Sequence, residues 1–493
     1  MSYFDPTKNK IHFGSTDKLI DWLTEYPDQG KIISKIKLLL KNYLELDNVS
    51  FLFGSGTSIH LGAVSIRNFP SEVYEYIKEK DGTTAPGILG YLQTTIKTLQ
   101  FELYEYGNSN LKPGTKEFKK QGWTYFIDSD ELVCDNDSKE IAIEYERVLN
   151  YLIALDFVLS EDKSSPKSEE VSNLIVAIKE GLFKVCNIDD PSRVVPQTLI
   201  DRKKASTFEN QKEQGNLLET QSKYIFHEKF IKALLQRPLN LRRANIFTAN
   251  YDLAFEYAFD RLGVHYIDGF AGFHKRFFKP ETFEYDIFYP GSTTSGKVQR
   301  IEKVVRYFKL HGSLSWVNSD KRDSNNLYGI EEKPLELIES LKKKGEIIIY
   351  PSAVKKSYTL DLPYSELFRQ FAATITQSQS VLITIGYSFG DDHFNDIIYQ
   401  ALSNPTFTLI IVDFSGTKSE YIKKVKDLND PRVIILEGEF LGDFLTFADT
   451  LMPNFNDIDN NDKIANTLNG LFGNPTPPVT PTSPINPSTT PTK

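Results

Sequence analysis

Short apolar runs that stop abruptly against polar segments mark the second half of the chain. Residues 246–247, 304–310, 346–350, 381–385, 409–412 and 433–436 are such runs, and each reads as a buried strand. Between them lie stretches with apolar residues at helical spacing. Leu253, Phe255, Tyr257, Ala258 and Phe259 follow the first strand. Residues 362–376 carry Leu367, Phe368, Phe371, Ala372 and Ile375 on one side. Asp391 can cap a helix that buries Phe394, Ile397, Ile398 and Leu402, and a last helix is expected over 439–451. Alternating strands and helices predict an α/β fold, a Rossmann-like parallel sheet with helices on both faces.

The first half has a different rhythm. Residues 15–27 and 31–46 read as two amphipathic helices, the second with Ile32, Ile33, Ile36, Leu39, Leu40, Tyr43 and Leu44 in register. Val49, Phe51, Leu52 and Phe53 then form a strand that breaks into Gly54-Ser55-Gly56-Thr57-Ser58. Helices are expected at 71–80 and 87–104. From 106 to 240 no strand alternation is visible, and helices are expected at 139–160, 168–186 and 218–236 around a charged, serine-rich linker at 160–170. This stretch reads as an all-helical insertion.

The expected organisation is therefore N-terminal helices over 1–47, a nucleotide-binding domain over 48–105 and 241–452, an insertion over 106–240, and a tail over 453–493. From Gly473 the tail is rich in Pro, Thr and Ser, a composition that predicts disorder. No internal repeat is evident.

The strand ends carry the candidate chemistry. In α/β sheets, ligands sit beyond the carboxyl ends of the strands. Asn245-Ile-Phe-Thr-Ala-Asn-Tyr-Asp252 places Asn250 and Asp252 there, either facing a ligand or as an Asx turn capping the next helix. Gly54-Ser55-Gly56-Thr57-Ser58 suits a phosphate, with glycines for close approach, hydroxyl donors, and a helix start behind. It is also compatible with a plain turn. Ile59 stands where a third glycine of GxGxxG would be, and no Gly-Lys-Ser/Thr follows. His311 closes the strand at 304–310, beside Gly312, as a structural or a catalytic histidine. Asp413 ends the strand at 409–412 and reads equally as a ribose acceptor or a turn residue. The aromatic segment 264–300, with Phe270, Phe273, Phe277, Phe278, Phe283, Tyr285 and Tyr289, reads as a lid or as core.

Composition narrows the class. The 493 residues carry a formal net charge of −9, which argues against whole-chain electrostatic binding to DNA or acidic membranes. Cys134 and Cys186 are the two cysteines, too few for a four-cysteine zinc site, and no metal is expected. So few thiols suit a reducing cytoplasm. No apolar run is long enough for a membrane span, and the N-terminus lacks the basic head and apolar core of a secretion signal.

Four strand-end motifs stand in order: Gly54-Ser55-Gly56-Thr57-Ser58, Thr248-Ala249-Asn250-Tyr251-Asp252, Lys309-Leu310-His311-Gly312-Ser313, and Gly386-Tyr387-Ser388-Phe389. Their order and spacing resemble the sirtuin-like family, and within it the bacterial sirtuin-like NADases of anti-phage defence. The resemblance covers about residues 48–105 and 243–452. It implies a sirtuin-type sheet that takes NAD as substrate and cleaves it to nicotinamide and ADP-ribose. It further implies gated activity that depletes NAD in abortive infection. On that resemblance Asn250, His311 and Asp252 are catalytic. Gly54, Ser55, Gly56, Thr57, Ser58, Thr248, Gly386, Ser388 and Asp413 would hold the dinucleotide. It implies a homo-oligomer, and a hexameric DNA-translocating ATPase or a phage-derived trigger as partner. Two departures are visible. Residues 61–70 lack the Gly-Ile-Pro-Asp-Phe-Arg pattern of sirtuin deacetylases, and the four-cysteine zinc module is missing. The alternatives are an NAD or ADP-ribose sensor without turnover, and an NAD-dependent deacylase or ADP-ribosyltransferase.

Overall fold

The computed structural model describes residues 3–64, 69–81, 88, 90–92, 95, 103–105, 120–121, 139–141, 145–160, 166–189, 222–290, 299–319, 326–339, 362–415 and 419–455. The first elements are β1 (Asn9–Phe13), β2 (Thr16–Asp17), α1 (Leu19–Glu25), α2 (Gln29–Leu44) and β3 (Asn48–Phe53). Next come α3 (Phe69–Asp81), β4 (Leu103–Glu105), β5 (Lys120–Gln121), β6 (Lys139–Ile141), α4 (Tyr145–Ser160), α5 (Pro166–Cys186) and α6 (Ile225–Leu234). Then follow β7 (Asn245–Thr248), α7 (Ala254–Leu262), β8 (His265–Ile267), β9 (Phe270–Ala271), β10 (Arg276–Phe278), β11 (Val304–Lys309), β12 (Trp316–Asn318) and β13 (Ile330–Glu332). The chain continues through α8 (Tyr364–Ile375), β14 (Ser380–Ile385), α9 (Asp392–Ala401), β15 (Thr408–Asp413), α10 (Glu420–Asp427) and β16 (Val433–Gly438).

Among the described residues, a nine-stranded sheet runs in the order β2-β1-β16-β15-β14-β3-β7-β11-β8. From β16 to β8 every neighbouring pair is parallel, and β1 pairs antiparallel with β16 and with the edge strand β2. The chain leaves β3 towards β7 and later returns to the opposite side of β3 with β14. That makes the gap between the β3 and β14 loops the switch point of the sheet, the usual ligand crevice in such folds.

Period-two alternation explains why these strands read as continuous apolar runs. Phe51 and Phe53 pack on Phe230 of α6, with ring centroids 5.0 and 5.1 Å away. Leu52, between them, joins Phe247, Leu382, Phe371 and Phe394 on the other face, under α8 and α9. Both faces are covered, so the run is mainly apolar, with small Ser50 and Thr384 its buried polar members in β3 and β14. Each buried phenylalanine contributes roughly 1.5–3 kcal/mol by leaving water. A separate apolar cluster joins Val73 and Ile77 of α3 to Val148, Leu149 and Leu152 of α4 and to Leu174, Ile178 and Leu182 of α5. Thus α3, expected in the nucleotide-binding domain, packs with the inserted helices.

Several expectations need correction. Residues 9–13 form a sheet strand ahead of the expected N-terminal helices, and the first helix begins only at Leu19. Asp17 Oδ1 accepts from Leu19 N at 3.0 Å and Ile11 N at 3.3 Å, which fixes a turn where a helix start was read. The insertion is not purely helical, because β5 and β6 pair with β4, which occupies the end of the helix expected over 87–104. These strands are two or three residues long, too short to show alternation. The helix expected from 139 begins at Tyr145, and the one expected over 218–236 spans Ile225–Leu234. The last helix begins at Phe444, where Asp443 Oδ2 accepts from Thr446 N at 3.2 Å, and it continues with π geometry over Phe447–Leu451. The strand expected at 346–350 and the Pro/Thr-rich tail lie outside the described residues. The aromatic segment divides: Phe270, Phe278 and Phe283 enter the core around β9 and β10, whereas Phe273, Tyr285 and Tyr289 are exposed.

Candidate active site

The loops after β3, β7, β11 and β14 meet at one end of the sheet. β7 stops at Thr248, whose hydroxyl donates to Phe53 O at 3.3 Å and accepts from Asn250 N at 3.0 Å. That turn aims the Asn250 amide across to the β3 loop. Its Nδ2 lies 3.1 Å from Gly54 O, 3.2 Å from Ser58 Oγ and 3.3 Å from Thr57 Oγ1. Asn250, Thr57 and Ser58 are all buried. The two motifs, nearly 200 residues apart in sequence, are therefore joined side chain to loop.

The glycines have a structural job here. Gly54 N donates to Ile385 O and Gly56 N to Gly386 O, both at 3.0 Å. A Cβ on Gly54 would stand 2.5 Å from Gly386 O, and one on Gly56 would stand 2.7 Å from Gly386 Cα. Gly386 itself has φ +62°, and its Cβ would meet Thr57 N at 2.8 Å. Three glycines thus let the β3 and β14 loops cross at backbone contact. Thr57 N and Ser58 N are spent inside the same tight turn, on Gly54 O at 3.1 Å and Ser55 O at 3.0 Å. The Thr57 hydroxyl is spent there as well, donating to Gly54 O at 2.8 Å, so the donors left to a phosphate in this arrangement are mainly serine hydroxyls. Ser55 is half-buried and Ser388 is exposed.

Asp252 adopts the capping geometry, its Oδ1 accepting from Ala254 N at 3.0 Å. Its carbonyl receives the Lys309 ammonium, which also lies 2.8 Å from Glu256 Oε1. Burial pushes the Glu256 carboxyl up, and Lys309 beside it opposes that push. Tyr307 Oη completes the cluster with a 3.0 Å bond to Glu256. This buried group ties the turn after β7 to the end of β11, immediately before His311.

His311 follows at the mouth of β11, with Leu314 N bonded to Tyr251 O at 3.1 Å. Its ring lies among Phe394, Tyr251 and Phe368, at centroid distances of 5.0, 6.3 and 6.4 Å. His311 Nε2 stands 3.1 Å from Asp391 Oδ2. The sequence offered Asp391 only as a helix cap, which it also is, its Oδ1 accepting from His393 N at 3.0 Å. Its proximity to His311 carries no signal in one chain read alone, since the two positions are 80 residues apart. Lys309 was likewise passed over as part of a strand.

Behind the site lies a second charged group. Arg276 bridges Asp268, at 2.8 Å, and Glu332, and Ser315 donates to Glu332 Oε1 at 3.2 Å. Burial and the neighbouring Asp268 push the Glu332 carboxyl up to about 8, against the pull of Arg276. Asp413, at the end of β15, accepts from Ser415 N at 3.2 Å and Ser415 Oγ at 3.0 Å, the geometry of a turn aspartate. Gly54 to Ser58, Thr248, Asn250 and Gly386 therefore share one contact network, with His311 joined through Tyr251. Asp252 caps the helix beneath, and Asp413 sits at the end of the strand beyond β14.

No group of three or more His, Cys, Asp or Glu residues placed to hold a metal occurs among the described residues. Among the same residues no helix is long and apolar enough to cross a membrane. Comparison with curated proteins gave no match. Residues 244–416 match the family model described as SIR2-like domain, a span that takes in β7, His311 and β14 but not the Gly54 loop that Asn250 holds. The parallel sheet and its switch point are consistent with that match to a SIR2-like domain over residues 244–416.

Proposed function

We propose that the chain is an NAD+ hydrolase that cleaves the nicotinamide–ribose bond to release nicotinamide and ADP-ribose. SIR2-like domains act on NAD+, which supports an NAD-related activity over residues 244–416. The observation that supports the finer reading is that Asn250 is bonded to the Gly54 loop while His311 stands beside Tyr251 and Asp391 at the same end of the sheet.

Breaking the glycosidic bond builds oxocarbenium-like charge on the ribose, as in other glycoside cleavages. A hydrolase must hold that ribose, limit water and admit one nucleophile. In this reading Asn250 orients the ribose or the attacking water through its carbonyl oxygen, while its NH2 secures the loop. His311 takes a proton from water or a ribose hydroxyl. Asp252 holds the turn and contributes negative potential near the developing charge. Ser55, Ser58 and Ser388 supply hydroxyls for the diphosphate, Thr57 holds the loop by donating to Gly54 O, Thr248 supports Asn250, and the Gly54–Gly56–Gly386 crossing shapes the cradle. Asp413 is the candidate for the adenosine ribose. Constant activity would drain the host's NAD+, so the reading includes a gate, supplied by the inserted segment, by self-assembly, by a translocase ATPase or by a phage-derived trigger. Depletion of NAD+ in anti-phage defence is the biological role proposed.

The test is free nicotinamide, measured by chromatography after incubating purified protein with NAD+, with and without candidate activators. Release that is lost in His311→Ala supports the hydrolase. NAD+ binding with no release under any condition favours the sensor. Release that depends on an acylated peptide favours a deacylase.

A further inference from the structure

We propose that Asp391 is the positioning residue for His311, pairing with and stabilising the imidazolium formed when the base works. The inference rests on the hydrolase reading above and assigns a partner to its base. Asp391 divides its carboxylate between two tasks: Oδ1 caps α9 through His393 N at 3.0 Å, and Oδ2 stands 3.1 Å from His311 Nε2. Its backbone is anchored as well, since its carbonyl receives Asn395 N at 3.1 Å and Tyr387 Oη at 3.3 Å. A carboxylate so held cannot swing away.

The surroundings strengthen the pairing. Both residues are buried, His311 at 8% and Asp391 at 6% exposure. Aromatic walls from three elements enclose the imidazole: Phe394 on α9, Phe368 on α8 and Tyr251 in the turn after β7. Charge pairs of this kind gain strength where water is thin. The other charged or titratable groups nearby are otherwise engaged. Lys309 pairs with Glu256, Asp252 Oδ1 caps α7, and the His393 ring packs on Phe368 at 4.4 Å. Asp391 is thus the carboxylate that faces the ring.

The chemistry follows from the charge. His311 takes a proton from water or a ribose hydroxyl and becomes an imidazolium, and the Asp391 carboxylate, 3.1 Å from Nε2, stabilises that cation while itself staying ionised. An asparagine at 391 keeps a cap oxygen but presents a neutral amide to His311.

The experiment compares wild type, Asp391→Asn, Asp391→Ser and His311→Gln as full-length chains. Nicotinamide release is followed from pH 5 to 9, with melting temperatures alongside. Asp391→Asn should lower kcat by about 100-fold or more, with KM for NAD+ changing less than about threefold. The acid limb of its pH profile should move down by about one pH unit. Asp391→Ser, which retains a capping side chain but withdraws the carboxylate, should show the same loss. A kcat within about threefold of wild type and an unmoved profile in both variants would overturn the proposal. A second readout does not need turnover. The chain has seven histidines, and the histidine NMR resonance missing from His311→Gln identifies that ring. Its titration midpoint should fall in Asp391→Asn, and an equal midpoint rejects the pairing. If wild type releases no nicotinamide, the hydrolase reading fails while the titration still decides the pair.

Discussion

Asn250 donates its side-chain amide to Gly54 O at 3.1 Å, so a residue read as catalytic also fastens the glycine loop. The same nitrogen reaches Thr57 and Ser58, and all of this is buried. Asn250→Ala should therefore do two things. It should cost about 0.5–1.5 kcal/mol per hydrogen bond lost, since Gly54 O keeps the Thr57 N and Thr57 Oγ1 donors, and it should abolish nicotinamide release. Urea unfolding and the nicotinamide assay read the two effects separately. An unchanged midpoint would mean that the β14 crossing alone holds the loop.

Gly386→Ala should be worse. Its φ of +62° disfavours any Cβ, and the added carbon would meet Thr57 N at 2.8 Å and Gly56 C at 2.9 Å. A loss of about 2–4 kcal/mol, or failure to fold, is expected. Gly390→Ala, four residues on, is the control. Its Cβ would meet only Ser388 Oγ at 3.4 Å, and the cost should stay below about 1 kcal/mol. Thermal melts of the two variants should differ clearly.

Lys309→Met should strand Glu256 in the core. Removing one partner of a buried pair costs about 3–5 kcal/mol, because the remaining charge is left uncompensated. It also removes the cation that holds the Asp252 carbonyl. Adding Glu256→Gln should recover part of the stability but not the grip on the turn. If the double variant unfolds at the same denaturant concentration as the single one, the pair is not the source of the loss.

The Glu332 carboxyl sets a pH dependence. Its folded value is raised to about 8 from an ordinary 4.5, so the fold binds the proton more tightly than the unfolded chain does. The stability that goes with that proton is complete below about 4.5 and is lost as pH rises through about 8. Unfolding midpoints should therefore fall between pH 5 and 8.5, and Glu332→Gln should flatten the slope. An equal slope in both proteins would assign the dependence to other groups.

Much of this was legible in the chain because the central strands are covered on both faces. Val49 to Phe53 and Val381 to Ile385 are mostly apolar, broken only by Ser50 and Thr384, and each ends where a motif begins. β1 was not legible. Its Asn-Lys-Ile-His-Phe has too little apolar alternation, and its burial comes from pairing with β16, over 400 residues away. The motif residues were visible, but their division of labour was not. Nothing local says that Gly54 and Gly56 make room for Gly386, that Asp252 is spent on a helix start, or that Asp391 faces His311. Those facts depend on which loops the sheet order brings together.

The crossing of the β3 and β14 loops has a consequence for biosynthesis. Gly54 leaves the ribosome more than 300 residues before Gly386. A nascent chain therefore carries the first half of the crevice through more than 300 residues of synthesis without the second. Any chemistry that needs both halves is withheld until β14 has emerged. Truncated products that stop short of β14 are left with the β3 edge of the sheet unpaired and no crevice at all.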